Sequence, residues 1–141
     1  MKKVIFIVAI FISHNVFAAR NGIVGMHISG DRVLLHETYS ILVKSNYKMK
    51  LPRSSDTYDK EQWGDEGDYV MGAFIDKTYP DIVISVVYFK KERKIGIYIQ
   101  ENPVGFTPEG QRRADVLIRR YKSRYKDALN ITERRNYKGN E

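Results

Sequence analysis

Tyr69-Val70-Met71-Gly72-Ala73-Phe74-Ile75, Asp81-Ile82-Val83-Ile84-Ser85-Val86-Val87-Tyr88-Phe89 and Lys94-Ile95-Gly96-Ile97-Tyr98-Ile99-Gln100-Glu101 follow one another with only short polar links. These three runs decide the fold. The first alternates, with Tyr69, Met71, Ala73 and Ile75 on one face, and the third alternates around Ile95, Ile97 and Ile99. The middle run is β-branched on both faces, as a central strand is. Lys90-Lys91-Glu92-Arg93 is too short to house a crossover helix, so the last two runs should form an antiparallel hairpin.

Toward the N-terminus, Tyr47, Met49 and Leu51 alternate with Lys48 and Lys50, which predicts a half-exposed strand over 47–51 that stops at Pro52. Residues 21–28 predict another strand, ended by Ser29-Gly30-Asp31. Residues 31–46 carry two patterns. Leu35, Tyr39 and Leu42 recur at helical spacing behind a capping Asp31, yet Val33-Leu34-Leu35 and Ile41-Leu42-Val43 also fit short strands. A helix is the expectation. Residues 53–68 read as a polar loop.

Toward the C-terminus the period changes. Thr107 suits an N-cap, Pro108 the first helical position and Glu109 the positive end of the helix dipole. Ala114, Leu117, Ile118, Tyr121, Tyr125, Ala128 and Leu129 form an apolar stripe, and Asp115 with Arg119 is a supporting i,i+4 pair. A long helix over about 108–130 is predicted, followed by a polar stretch that becomes a flexible tail over 136–141. The fold class is therefore α+β. One domain over 19–135 holds an antiparallel sheet covered on one face by the C-terminal helix.

Residues 1–18 stand apart. Lys2-Lys3, the nine-residue apolar run Val4–Ile12 and the Val16-Phe17-Ala18 ending predict a secretory signal peptide cleaved after Ala18. The run is about half the ~20 residues a membrane helix needs, so no stable membrane insertion is expected. The periplasm is the expected location. The signal's two lysines account for two of the chain's seven net positive charges. The chain has no cysteine, which excludes disulfides, thiolate nucleophiles and zinc–thiolate sites.

Few residues suggest chemistry. His27 and His36 form no metal-ligand pairing. No G-x-S-x-G or phosphate-binding glycine fingerprint occurs, so neither an enzyme nor a cofactor is expected. Two constellations remain. Asp56, Asp59, Glu61, Asp65, Glu66 and Asp68 form an acidic loop around Trp63, whose spacing does not match a calcium loop. It reads as a solvated loop or as a recognition loop built on an exposed Trp63. Between Thr107 and Lys138, ten Lys and Arg face four acids, among them Arg112, Arg113, Arg119, Arg120 and Arg124. Export turns such a basic face away from nucleic acid and toward envelope polyanions or acidic proteins.

A small, exported, basic, cysteine-free chain without catalytic motifs, rich in Lys, Tyr, Ile and Asn, resembles the periplasmic immunity proteins of pesticin-type bacteriocins in overall format. That resemblance implies a muramidase-type toxin as partner, silenced by tight binding. Partner contacts would then come from Arg112, Arg113, Arg119, Arg120 and Arg124, with Trp63. The alternative is an envelope adaptor that binds peptidoglycan or anionic lipid through the same helix.

Overall fold

The computed structural model describes residues 22–51, 54–102, 105–125 and 131–138, and the expected signal peptide lies outside them. The described residues form β1 (Ile23–Ser29), α1 (Val33–Lys44), β2 (Tyr47–Lys50), β3 (Gly64–Asp65), β4 (Tyr69–Asp76), β5 (Ile82–Phe89), β6 (Lys94–Glu101), α2 (Pro108–Arg124) and β7 (Ile131–Asn136). One antiparallel sheet runs β2-β4-β5-β6-β1-β7, with β3 paired to β4. The fold is α+β, and each of the five strands expected from alternation forms.

The three central runs build a meander. Phe89 pairs with Tyr69 on one side and Lys94 on the other, and the four-residue link closes the β5–β6 hairpin. Arg93 takes φ 53° there and donates its N–H to the Phe89 carbonyl at 2.9 Å. Residues 31–46 resolve as helix: the Asp31 carboxylate accepts from the Val33 N–H at 3.1 Å, and Leu34, Leu35, Thr38 and Leu42 line one buried side.

Both helices cover the same sheet face. Their apolar stripes meet Val24, Met26 and Ile28 of β1, Val70 and Phe74 of β4, Ile84 and Val86 of β5, and Ile95, Ile97 and Ile99 of β6 in one core. Tyr69, Met71, Ala73 and Ile75 share one face of β4 as the alternation predicts, and it is the face turned away from the helices, while Val70 and Phe74 enter the core. Both halves of this strand are apolar, so alternation sets its period without saying which half meets the helices. Among the described residues no helix packs on that second face. His27 projects there, and its Nε2 lies 2.8 Å from the Tyr98 hydroxyl.

α2 begins as expected. The Thr107 hydroxyl accepts from the Gly110 N–H at 3.1 Å, with Pro108 and Glu109 in the first turn. The helix runs to Arg124, and residues 126–130 of the expected span lie outside the described ones. An element without a sequence expectation follows. The polar run Ile131-Thr132-Glu133-Arg134-Arg135-Asn136 pairs with β1 along its whole length. Asn136 and Tyr137, assigned to the tail by their polarity and position, are respectively opposite Ile23 and packed edge-on against Phe106, ring centres 5.0 Å apart. The charged run Glu133-Arg134-Arg135 suits a strand at a sheet edge.

Candidate functional site

The outer surface of α2 is defined by what its inner surface buries. Gly110, Ala114, Leu117, Ile118 and Tyr121 face the sheet, which turns Arg112, Arg119, Arg120 and Arg124 to solvent. The helix is pinned at its start by a buried carboxylate. Glu101, 2% exposed, accepts from the Thr107 N–H at 2.8 Å and from the Tyr79 hydroxyl at 2.7 Å. A Cβ at Gly110 would lie 1.7 Å from Glu101 Oε1, so the helix approaches this closely only because residue 110 is glycine. Negative charge beneath a helix N-terminus is favourable.

The far side of α2 is tied to β7. Glu133 pairs with Lys122 and Arg135, Arg135 also reaches Asp115 at 3.1 Å, and the Tyr137 hydroxyl donates to Asp115. The hydrogen bond from Lys122 holds the Glu133 carboxyl below its usual range. Asp115 is thus engaged by β7, and the expected Asp115–Arg119 pair does not form.

The five arginines have separate roles. Arg113 is structural: its Nη1 donates to Asp76 at 2.9 Å, its Nε to Glu109 at 2.9 Å, and its guanidinium lies 5.1 Å from the Tyr79 ring centre. Asp76, 2% exposed, also accepts from the Thr78 and Tyr79 N–H groups, which closes the turn after β4. Arg112 is exposed and forks onto Glu109, whose carboxyl it holds below the ordinary range. Arg124 reaches Glu37 at 3.6 Å and lies 5.6 Å from the Tyr125 ring centre. Arg120 donates to the Ser45 hydroxyl at 2.7 Å and has no acidic partner among the described residues. Neither does Arg119. The basic face is therefore real on α2, but its uncompensated part narrows to Arg119 and Arg120.

Trp63 is not part of that surface. It is half-buried, with its ring against Phe74 (centres 5.9 Å apart) and over Gly72, and its Nε1 donates to Glu61 at 2.9 Å. The expectation of an exposed recognition tryptophan gives way, because the indole anchors the loop to the core. Three of the six loop acids are likewise engaged by the domain body: Asp59 with Lys48, Glu61 with His36, and Asp65 with Lys90 and Arg32.

Sequence reasoning missed Asp76, Glu101, Ser45 and Tyr47. Ser45, Tyr47, Asp76, Arg112, Arg113, Val116, Leu117 and Arg120 line a cavity of about 180 Å³ beside α2. One signal was visible beforehand: a glycine at the third position of a helix costs about 1 kcal/mol against alanine, and such a residue points to a close neighbour. No protein-family model, curated protein or solved structure matches this chain. Among the described residues no helix is long and apolar enough to cross a membrane.

Proposed function

We propose that this protein is an exported immunity or inhibitor protein of the periplasm, one that binds a muramidase-type toxin and occludes it with the outer face of α2. The observation that carries this is the exposed, uncompensated pair Arg119 and Arg120, flanked by Arg112 and Arg124 on a helix fixed at its N-terminus and along β7. A muramidase cleft holds the carboxylates of its own chemistry, so a rigid basic face is drawn toward it and excludes the sugar chain. Single exposed ion pairs contribute about 0–1 kcal/mol each, so these charges mainly raise the association rate. Tightness would come from apolar area closed around them, with half-buried Val116 at the centre of the patch.

Two binding measurements test the class. Surface-immobilised protein should capture a pesticin-type muramidase domain and block its clearing of a peptidoglycan suspension. It should stay in the supernatant when spun with purified sacculi or anionic vesicles. Sedimentation with either polymer, together with an uninhibited muramidase, would contradict the proposal and favour an envelope adaptor.

A further inference from the structure

We infer that the sheet face turned away from α1 and α2 is a docking surface for an acidic amphipathic helix of a partner protein, seated over β4 and β5 between cations of β2 and β6. The floor is a second apolar patch. Ala73, Val87 and Phe89 are buried, yet they lie outside the core that the two helices cover. Tyr69, Met71, Ile75 and Val83 surround them, each half-buried. The register sets Tyr69 opposite Phe89, Met71 opposite Val87 and Ile75 opposite Val83, so the patch is two strands wide. Its length from Tyr69 to Ile75 is about 20 Å, which about 13 residues of α-helix would cover.

The charge on this face has one sign. Its described strand residues include Lys48 and Lys50 of β2, Lys94 of β6, His27 of β1 and Arg134 of β7, and no carboxylate. Lys48 is met by Asp59 from the loop at 3.3 Å. Lys50 donates to the Ser54 carbonyl at 3.2 Å and Lys94 lies 5.9 Å from the Phe89 ring centre. Neither lysine has an acidic partner among the described residues, nor has Arg134. Lys50 sits opposite Ala73 and Lys94 opposite Phe89, so two uncompensated ammonium groups mark diagonal corners of the patch. Three strand spacings separate β2 from β6, about 14 Å, which admits a helix about 10–12 Å across. Along the strands the corners are again about 14 Å apart, the rise of about nine helical residues. At about 100° per residue, acids nine positions apart fall on opposite flanks of a helix. Other occupants fit less well. A second copy would bring the same cations against these, and the chain's own N-terminal apolar run begins with Lys2-Lys3 and no acid. A bilayer takes up side chains that protrude, whereas the exposed large apolar residues among the described ones, Val33 and Val43, both lie on α1. The surface lies across the sheet from α2, and the inference does not rest on the inhibitor reading.

The probe is an alanine-rich helical peptide of about 18 residues, carrying a leucine stripe and two glutamates nine positions apart on its flanks. It is titrated into the protein while the methyl resonances of Met71, Ile75 and Val83 are followed by NMR. Saturable shifts of these methyls are expected, with a Kd on the order of 100 μM. Lys50→Glu/Lys94→Glu should weaken binding about tenfold at an unchanged thermal midpoint, and should the midpoint fall, Lys50→Gln/Lys94→Gln should still weaken it about threefold. A peptide with lysines in place of the glutamates should bind about tenfold more weakly than the acidic one. Arg119→Glu/Arg120→Glu, on the far side of the sheet, should bind the acidic peptide as wild type does, whether or not that variant still captures a muramidase. Equal binding of the lysine peptide, shifts centred on α2, or binding lost in Arg119→Glu/Arg120→Glu would overturn the inference. Dimerisation through these methyls, or co-sedimentation with anionic vesicles that Lys50→Glu/Lys94→Glu abolishes, would also overturn it, because each gives the face a different occupant.

Discussion

The close approach of Gly110 to Glu101 gives the sharpest prediction about a single residue. Any Cβ there collides with a carboxylate oxygen that is itself bound by Thr107 and Tyr79. Gly110→Ala should destabilise the domain by about 2–3 kcal/mol in urea unfolding, although alanine is the better helix former. A stability equal to wild type would mean the helix start shifts freely. His27 sets a pH dependence. Burial first, then Lys94, lowers its pKa below the ordinary 6.5, so the folded protein binds this proton less readily than the unfolded chain. Its contribution is intact above about pH 6.5 and is lost as pH falls below that value. Unfolding free energy should therefore decline on acidification from pH 7, and part of that decline should vanish in His27→Gln. At this scale the sequence was only partly legible. Met26 and His27 were rightly placed on opposite faces, but nothing adjacent to Asp76 or Glu101 reveals that each is buried, because Arg113 and Tyr79 reach them from distant positions in the chain.

Elements were more legible than their phases. Thr107-Pro108-Glu109 announces the start of α2 through local chemistry alone, and Lys90–Arg93 announces the hairpin through length alone. Arg93 occupies the left-handed region, which costs a non-glycine residue roughly 1–2 kcal/mol. Arg93→Gly should raise stability by about 0.5–1 kcal/mol, measured by thermal unfolding; a loss would show that the side chain makes a contact worth more than the strain. Trp63 is an element-scale anchor, since it fixes the loop before β4 against Phe74. Trp63→Ala should lower stability by about 1–3 kcal/mol for a half-buried aromatic while leaving the on-rate for a toxin nearly unchanged. Which face of β4 meets the helices was not legible, because Val70-Gly72-Phe74 and Tyr69-Met71-Ala73-Ile75 are both apolar. β7 was missed because its charges suit a tail as well as an edge strand, and only its register with β1 and its ion pairs to α2 distinguish them.

For the whole molecule, the arrangement that matters is the placement of both helices on one sheet face, with the basic surface of α2 turned outward. The α+β class followed from the change in period between residues 101 and 107, and the basic segment from a charge count. Which arginines stay uncompensated did not follow, since Asp76, Glu109 and Glu37 come from three different elements. Local spacing suggested Asp115 as the partner of Arg119, but β7 engages Asp115 and leaves Arg119 open. The central claim is that Arg119 and Arg120 steer an acidic partner onto α2. Its most direct test is the association rate with a pesticin-type muramidase domain, measured for wild type and Arg119→Glu/Arg120→Glu at low and physiological salt. The double variant should associate at least tenfold more slowly at low salt and lose most of the salt dependence, with its fold intact. Equal rates for the two proteins at low salt would contradict the account and remove this face from the interface.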